Sequence, residues 1–234
     1  MSDDQEPEEQ SLTDVLQRVA RAFSKSPGGE ATRDLIVEHA VLEIPGAEMA
    51  NLSITSVNGL HIAVASSDDL AKDAGKLELE YAEGPCFAAG TTGKTYISSR
   101  LSDDDRWPRY GRAVAELGVV SQMGVNIYMQ GTSGMSLDLY STQPAAFGRS
   151  KQTAELFCTQ AAVAIGISDT AAELHQGMLT RGMIGQAVGI VMERYQINET
   201  RALAFLVRAS RDGNIKLRDI AARLMQDMNE RHPD

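Results

Sequence analysis

Apolar residues first recur at helical spacing in "SLTDVLQRVARAF", where Leu12, Val15, Leu16 and Val19 share a face behind Ser11 or Thr13 as the cap. "SKSPGGE" then breaks the chain. A second helix is expected over Thr32–Glu43, ending before Pro45. "AEMANLSITSVNGLHIAVASS" reads as a β-hairpin, with Leu52, Ile54 and Val57 before Asn58-Gly59 and Ile62 and Val64 after it. Asn-Gly favours a type I′ turn, because both central residues take positive φ. A helical or irregular stretch is expected from Asp68 to about Leu79, followed by a turn forced by Gly84-Pro85 and a short strand in "KTYIS". "DDDRWPRYGRAVAELG" predicts a loop and a helix closed by Gly118. "VVSQMGVNIYM" and "MSLDLYST" predict two more strands joined by "QGTSG". Strands in hairpins among helices make an α+β unit with an antiparallel sheet the natural class.

From Lys151 the pattern is helical throughout. Ala164, Ile167, Ala171, Leu174 and Met178 alternate in steps of three and four, a short seam suited to a helix–helix contact. Together with the Val15/Leu16/Val19 helix, this seam is expected to pair two chains. The last third predicts three helices. The first carries "MIGQAVGIVMERY"; the second, from Asn198 to about Arg211, buries Ala202, Phe205, Leu206 and Ala209 and ends with Gly213 as a left-handed cap. The third starts near Ile215 and buries Leu217, Ile220, Ala221, Leu224 and Met228. Gly182, Gly185 and Gly189 interrupt the first helix at about 1 kcal/mol each relative to alanine. Their common stripe is expected to let another helix approach closely.

Composition narrows the function. The 234 residues carry a net charge of −10, unevenly spread. The first 170 residues hold 13 bases and 24 acids, whereas Arg194–Arg223 holds seven bases and three acids. An acidic body with a basic tail predicts one domain that meets a polyanion and one that does not. Residues 1–10 read as a disordered acidic tail. They lack the basic start of a secretory signal, and no long apolar run follows, so a cytoplasmic protein is expected. Cys86 and Cys158 form no metal-binding pair motif. Neither a GxSxG nor an HExxH signature occurs, so the chain does not read as an enzyme.

"RGMIGQAVGIVMERYQINETRALAFLVRASRDGNIKLRDIAARLM" closely resembles the ANTAR family, three-helix RNA-binding domains of bacterial transcription antitermination regulators. "YAEGPCFAAGTTGKTYIS", "DDDRWPRYGRAVAELGVVSQMGVNIYM" and "MSLDLYSTQPAAF" look like the GAF fold as it precedes ANTAR domains. The resemblance implies an α+β GAF domain, with an antiparallel sheet and flanking helices, over residues 11–168 including the N-terminal helix. An all-α three-helix ANTAR domain would then occupy residues 169–234. It also implies binding to hairpins of nascent mRNA that prevents termination, with the GAF domain as sensor or dimerisation module. The family often has lysine where Val188 stands. That departure motivates an alternative, a protein-interaction signalling module with weakened or lost RNA binding.

The candidate RNA-binding set is Gln186, Arg208, Ser210, Arg211, Asn214, Lys216 and Arg218. Bases there would serve phosphates, and the polar and planar groups would serve exposed loop bases. No aromatic is expected beside them. The candidate GAF pocket comprises His61, Tyr81, Cys86, Trp107 and Met123, open to a small-molecule or redox signal whose identity, like any cofactor, the sequence leaves unknown. Cys86 reads either as a reactive thiol at a turn or as a buried cysteine, with nothing basic adjoining it to favour the thiolate. His61 reads as a haem ligand or as a satisfied imidazole. Asp103, Asp104 and Asp105 lack the spacing of a calcium loop and read as a loop or cap; no metal site is expected.

Overall fold

The computed structural model describes residues 12–26, 28–56 and 61–231. The acidic tail, Ser11, Val57 and the Asn58-Gly59 turn lie outside the described residues. The chain divides into two compact units, Met1–Asp169 and Thr170–Asp234.

The first unit is built on five antiparallel strands: β1 (Met49–Ser56), β2 (His61–Ser66), β3 (Tyr96–Ser98), β4 (Ser121–Gln130) and β5 (Ser133–Ser141). Their spatial order is β2-β1-β5-β4-β3. Alternation along each strand sends one set of side chains to each face. Ala50, Leu52, Met123, Val125, Met135, Leu137 and Leu139 form an apolar face. It is covered by α1 (Leu12–Phe23), α2 (Glu30–Glu43) and the start of α6 (Lys151–Tyr195) through Val19, Ile36, Ala154, Phe157 and Ala161. The register places Asn51 opposite Asp138 and Ser53 opposite Ser136, so the other face carries a row of buried polar groups. That face is covered by α3 (Asp69–Tyr81), α4 (Pro85–Thr92) and α5 (Pro108–Glu116).

Three expectations change here. Gly84-Pro85 opens a helix rather than a simple turn: Gly84 has φ 136° and Pro85 sits in the first turn of α4, where proline's missing N–H costs nothing. A Cβ on Gly84 would collide with the Glu78 carboxylate, so glycine is required twice over. The second helix starts at Glu30, two residues earlier than expected. Val15 and Val19 are buried in this unit's own core, with Phe23 edge-on to Phe157 at 5.8 Å. Val15 and Val19 are therefore covered within the chain, while Leu16 stays partly exposed.

In the second unit the end of α6 packs with α7 (Glu199–Gly213) and α8 (Leu217–Arg231) through Ala187, Val188, Val191, Ala202, Leu206 and Ala221. Asn198 caps α7 by accepting the Arg201 N–H at 3.0 Å. Asn214, not Gly213, takes the left-handed cap, with φ 49°. The side-chain amide of asparagine tolerates this region, and Gly213 remains helical. The close-contact reading of the glycine stripe fails within the chain. A Cβ at Gly182, Gly185 or Gly189 would meet nothing within 4 Å. The inward face of α6 is instead the Ala187/Val188/Val191 stripe, and Phe205 is 47% exposed rather than buried.

Candidate ligand cluster and nucleic-acid face

The polar face of the sheet builds a closed cluster from seven elements, four strands and three helices. Asp138 on β5 accepts hydrogen bonds from Ser53 Oγ at 3.1 Å and Gln122 Nε2 at 3.3 Å. Gln122, on β4, also donates to Glu78 Oε1 at 3.0 Å and accepts from the Tyr110 hydroxyl at 2.7 Å. Glu78 reaches in from α3, and its Oε1 also accepts the Cys86 N–H at 3.2 Å from the first turn of α4. His61 Nδ1 bonds Thr55 Oγ1 at 2.7 Å. Its Nε2 and Glu78 Oε2 are both buried without a hydrogen-bond partner, 3.7 Å apart. Ligating atoms of His61, Glu78 and Asp138 lie within 4.8 Å of one another.

Electrostatics here are governed by burial without a compensating cation. Burial drives the Glu78 carboxyl well above the usual carboxylate range, and the charge of Asp138 adds to that. Burial lifts Asp138 to about 7, against hydrogen bonds from Cys86, Ser53 and Gln122 that oppose the rise. Burial lowers His61 to about 4, so its ring is neutral at pH 7. The Cys86 thiol, donating to Ser136 Oγ at 3.0 Å, is pushed up by burial and by the charges of Asp138 and Glu78. Those forces favour the thiol over the thiolate that redox or adduct chemistry uses.

Of the five pocket residues expected from sequence, His61 and Cys86 belong to this cluster. Met123 points to the opposite, apolar face of β4, because its neighbour Gln122 takes the inward polar position. Trp107 and Tyr81 pack in a separate lateral core with Tyr110, Leu101 and Val114. The Arg106 guanidinium lies 4.2 Å from the Trp107 ring centre and pairs with Asp104 at 2.7 Å. Asp103 faces Arg100 at 3.5 Å, so both acids serve the loop. Glu78, Gln122, Asp138, Ser53 and Ser136 were missed. For Ser53, Ser136 and Asp138 the signal is polar residues at every second position of "NLSITS" and "MSLDLYS", whereas Glu78 on α3 and Gln122 on β4 carry no such alternation.

On the second unit, Arg208, Arg211, Asn214, Lys216 and Arg218 are all exposed around the α7–α8 corner. Arg218 faces Asp219 at 3.4 Å. Ser210 is committed to the turn itself, donating to the Ile215 carbonyl at 2.6 Å. Gln186 is exposed on α6, a different element. Contrary to expectation, an aromatic does stand among the bases. Phe205 shares a face of α7 with Arg201 and Arg208, at i−4 and i+3. Its ring centre lies 5.3 Å from that of Tyr195, which is 54% exposed. Val188, at 7% exposure, faces the core, not the solvent.

Residues 172–225 match the ANTAR domain family. No curated protein matches the chain by sequence. Among solved structures, the GAF domain of a phosphoenolpyruvate-protein phosphotransferase from Coxiella burnetii is 20% identical. That match covers 71% of this chain and 96% of the other, with a TM-score of 0.53. The corresponding Acinetobacter GAF domain is 15% identical over 69% of this chain and 97% of its own, also at 0.53. A free methionine-R-sulfoxide reductase from Neisseria meningitidis is 12% identical over 68% and 91%, at 0.51. These likenesses establish the fold of the sheet unit. The chain thus carries a unit with the fold of GAF domains, followed by a segment, residues 172–225, that matches the ANTAR domain family.

Proposed function

We propose that this protein is a transcription antitermination regulator. Its ANTAR domain binds hairpins of nascent mRNA and keeps a terminator from forming, while its GAF domain receives the signal. The observation that carries this reading is the basic α7–α8 corner within the ANTAR match, on a chain that is otherwise acidic. Arg208, Arg211, Lys216 and Arg218 would hold phosphates, Asn214 and Gln186 would address bases, and Ser210 would hold the turn that presents them. Arg201, Phe205 and Tyr195 extend the face with rings on which a loop base can stack.

The reading places the protein in the cytoplasm, where transcripts emerge; no helix among the described residues is long and apolar enough to cross a membrane. It also makes the protein a homodimer. Val163, Ile167, Leu174 and Met178 on α6 are each more than half exposed, an apolar row that a second copy would cover. The competing reading, a module that has lost RNA binding, rested on Val188. A buried valine removes that motive, since a side chain at this position serves the core.

The test is titration of the full chain against hairpin RNAs selected from a loop-randomised pool. Sub-micromolar, salt-dependent binding is expected, at least about tenfold weaker in the Lys216→Ala/Arg218→Ala double variant. No binding, or equal binding by that variant, rejects the proposal.

A further inference from the structure

We propose that His61, Glu78 and Asp138 form a binding site for one divalent transition-metal ion on the polar face of the GAF sheet. The inference is independent of RNA binding and rests on four observations. The first is geometric. The three ligating atoms already lie within 4.8 Å of one another, and small side-chain shifts would bring them to the ~3.3 Å edge of a tetrahedron with ~2.0 Å bonds.

The second observation is that two of those atoms are orphans. His61 Nε2 and Glu78 Oε2 face each other at 3.7 Å, on side chains that are 1% and 0% exposed, with no hydrogen-bond partner. Buried polar atoms are almost always satisfied, and an unpaired buried pair of this kind calls for a missing partner. A cation suits both, since a neutral imidazole nitrogen and a carboxylate oxygen each offer a lone pair.

The third is charge. Two carboxyl groups sit fully buried, and their hydrogen-bond and close polar partners are Ser53, Gln122, the Cys86 N–H and His61 rather than a lysine or arginine. One divalent ion would neutralise both.

The fourth is that the atoms facing away from the site are already held. His61 Nδ1 is fixed by Thr55 and Glu78 Oε1 by Gln122 and the Cys86 N–H, while Asp138 is held at both oxygens, Oδ2 by Ser53 and Oδ1 by Gln122, and would offer a metal a remaining lone pair of one of them. Outer partners of this kind orient metal ligands and set the imidazole tautomer. One imidazole and two carboxylates suit zinc, manganese or iron(II) and leave positions open for water or a small ligand.

The test uses the full chain, stripped with a chelator and titrated with Zn²⁺ and Co²⁺ by calorimetry, with no RNA present. One ion per chain is expected. Binding should be at least about 100-fold weaker in Glu78→Gln and His61→Gln, with the folding of each variant checked by its thermal melt. X-ray absorption of the loaded wild-type protein serves if a variant does not fold. It should show a nitrogen and oxygen shell with imidazole scattering and no sulfur. Absence of stoichiometric binding, unchanged affinity in folded variants, or a sulfur shell overturns the proposal.

Discussion

His61 Nε2 and Glu78 Oε2 face each other at 3.7 Å in the interior of the GAF domain, and neither has a hydrogen-bond partner. The pair joins His61 on β2 to Glu78 on α3, over the polar side of a sheet whose other side is apolar. The apolar face holds the unit together by excluding water. The polar face is costly to bury, and its groups are tied to one another from β1, β4, β5, α3 and α4. Such a cluster is a place where a ligand can bind, because groups there lack partners.

The orientation of α6 is tested by exchanging residues on its two sides. Val188→Lys puts an uncompensated charge into the core of the C-terminal unit and should cost roughly 3 kcal/mol or more. Gly185→Ala and Gly189→Ala lie where an added Cβ meets nothing, and each should stabilise by about 1 kcal/mol. Urea unfolding of the three variants checks both signs. A stable Val188→Lys protein that gains RNA binding would reverse the assignment of faces.

The apolar row on α6 predicts the oligomeric state. Light scattering at micromolar concentration should give a dimeric mass for the wild-type chain and a monomeric mass for Ile167→Glu/Leu174→Glu, with helicity retained. A wild-type monomer would remove the role assigned to that row.

Glu83 makes acid sensitivity predictable. Its carboxylate accepts the backbone N–H groups of Arg109 and Tyr110, at 3.0 and 3.2 Å, and the Arg109 Nε at 2.7 Å. It thus caps α5 from outside the helix, where Trp107 offers no side-chain cap. Burial raises its pKa, but these bonds outweigh burial and lower it below 4.5. A carboxylate lowered by folding stabilises fully above its unfolded value, and that stability is lost as pH falls through the folded value. Glu83→Gln should therefore cost about 1 kcal/mol at pH 7. It should also flatten the decline in stability below about pH 4.5. Parallel acid-unfolding curves for the two proteins would contradict this.

Phe205 separates stacking from charge on the proposed RNA face. Phe205→Leu keeps an apolar side chain but loses the ring, and should weaken hairpin binding roughly 5- to 100-fold. Its salt dependence should stay unchanged, because no phosphate contact is lost. Unaltered affinity would remove Phe205 from the interface.

Periodicity made most elements legible. The expected pairing of β1 with β2 is present, its Asn58-Gly59 turn lying outside the described residues, and Gly118, at φ 89°, marks the end of α5 because local backbone chemistry decides it. Side-chain direction was harder to read. Val188 and Gly189 are neighbours on a helix that is apolar nearly all round, and only packing against Ala202, Leu206 and Ala221 shows which faces inward. Likewise Met123 reads as a core residue that could also line a pocket, and it packs in the core. The polar face was in fact set by Gln122, since this sheet buries hydrogen-bonded polar groups rather than hydrocarbon on that side. Glu78 could not be placed from its spacing in α3, because its role depends on a helix packing over strands distant in sequence. Phe205, expected to be buried, is exposed; the overlooked signal is its place four residues after Arg201 and three before Arg208.

The central claim is tested most directly by single-round transcription through a template carrying a selected hairpin upstream of an intrinsic terminator. The wild-type protein should raise read-through in proportion to its occupancy of the RNA, and the Lys216→Ala/Arg218→Ala variant should leave termination at its protein-free level. Read-through that is unchanged at saturating wild-type protein, or raised equally by the variant, would contradict the account.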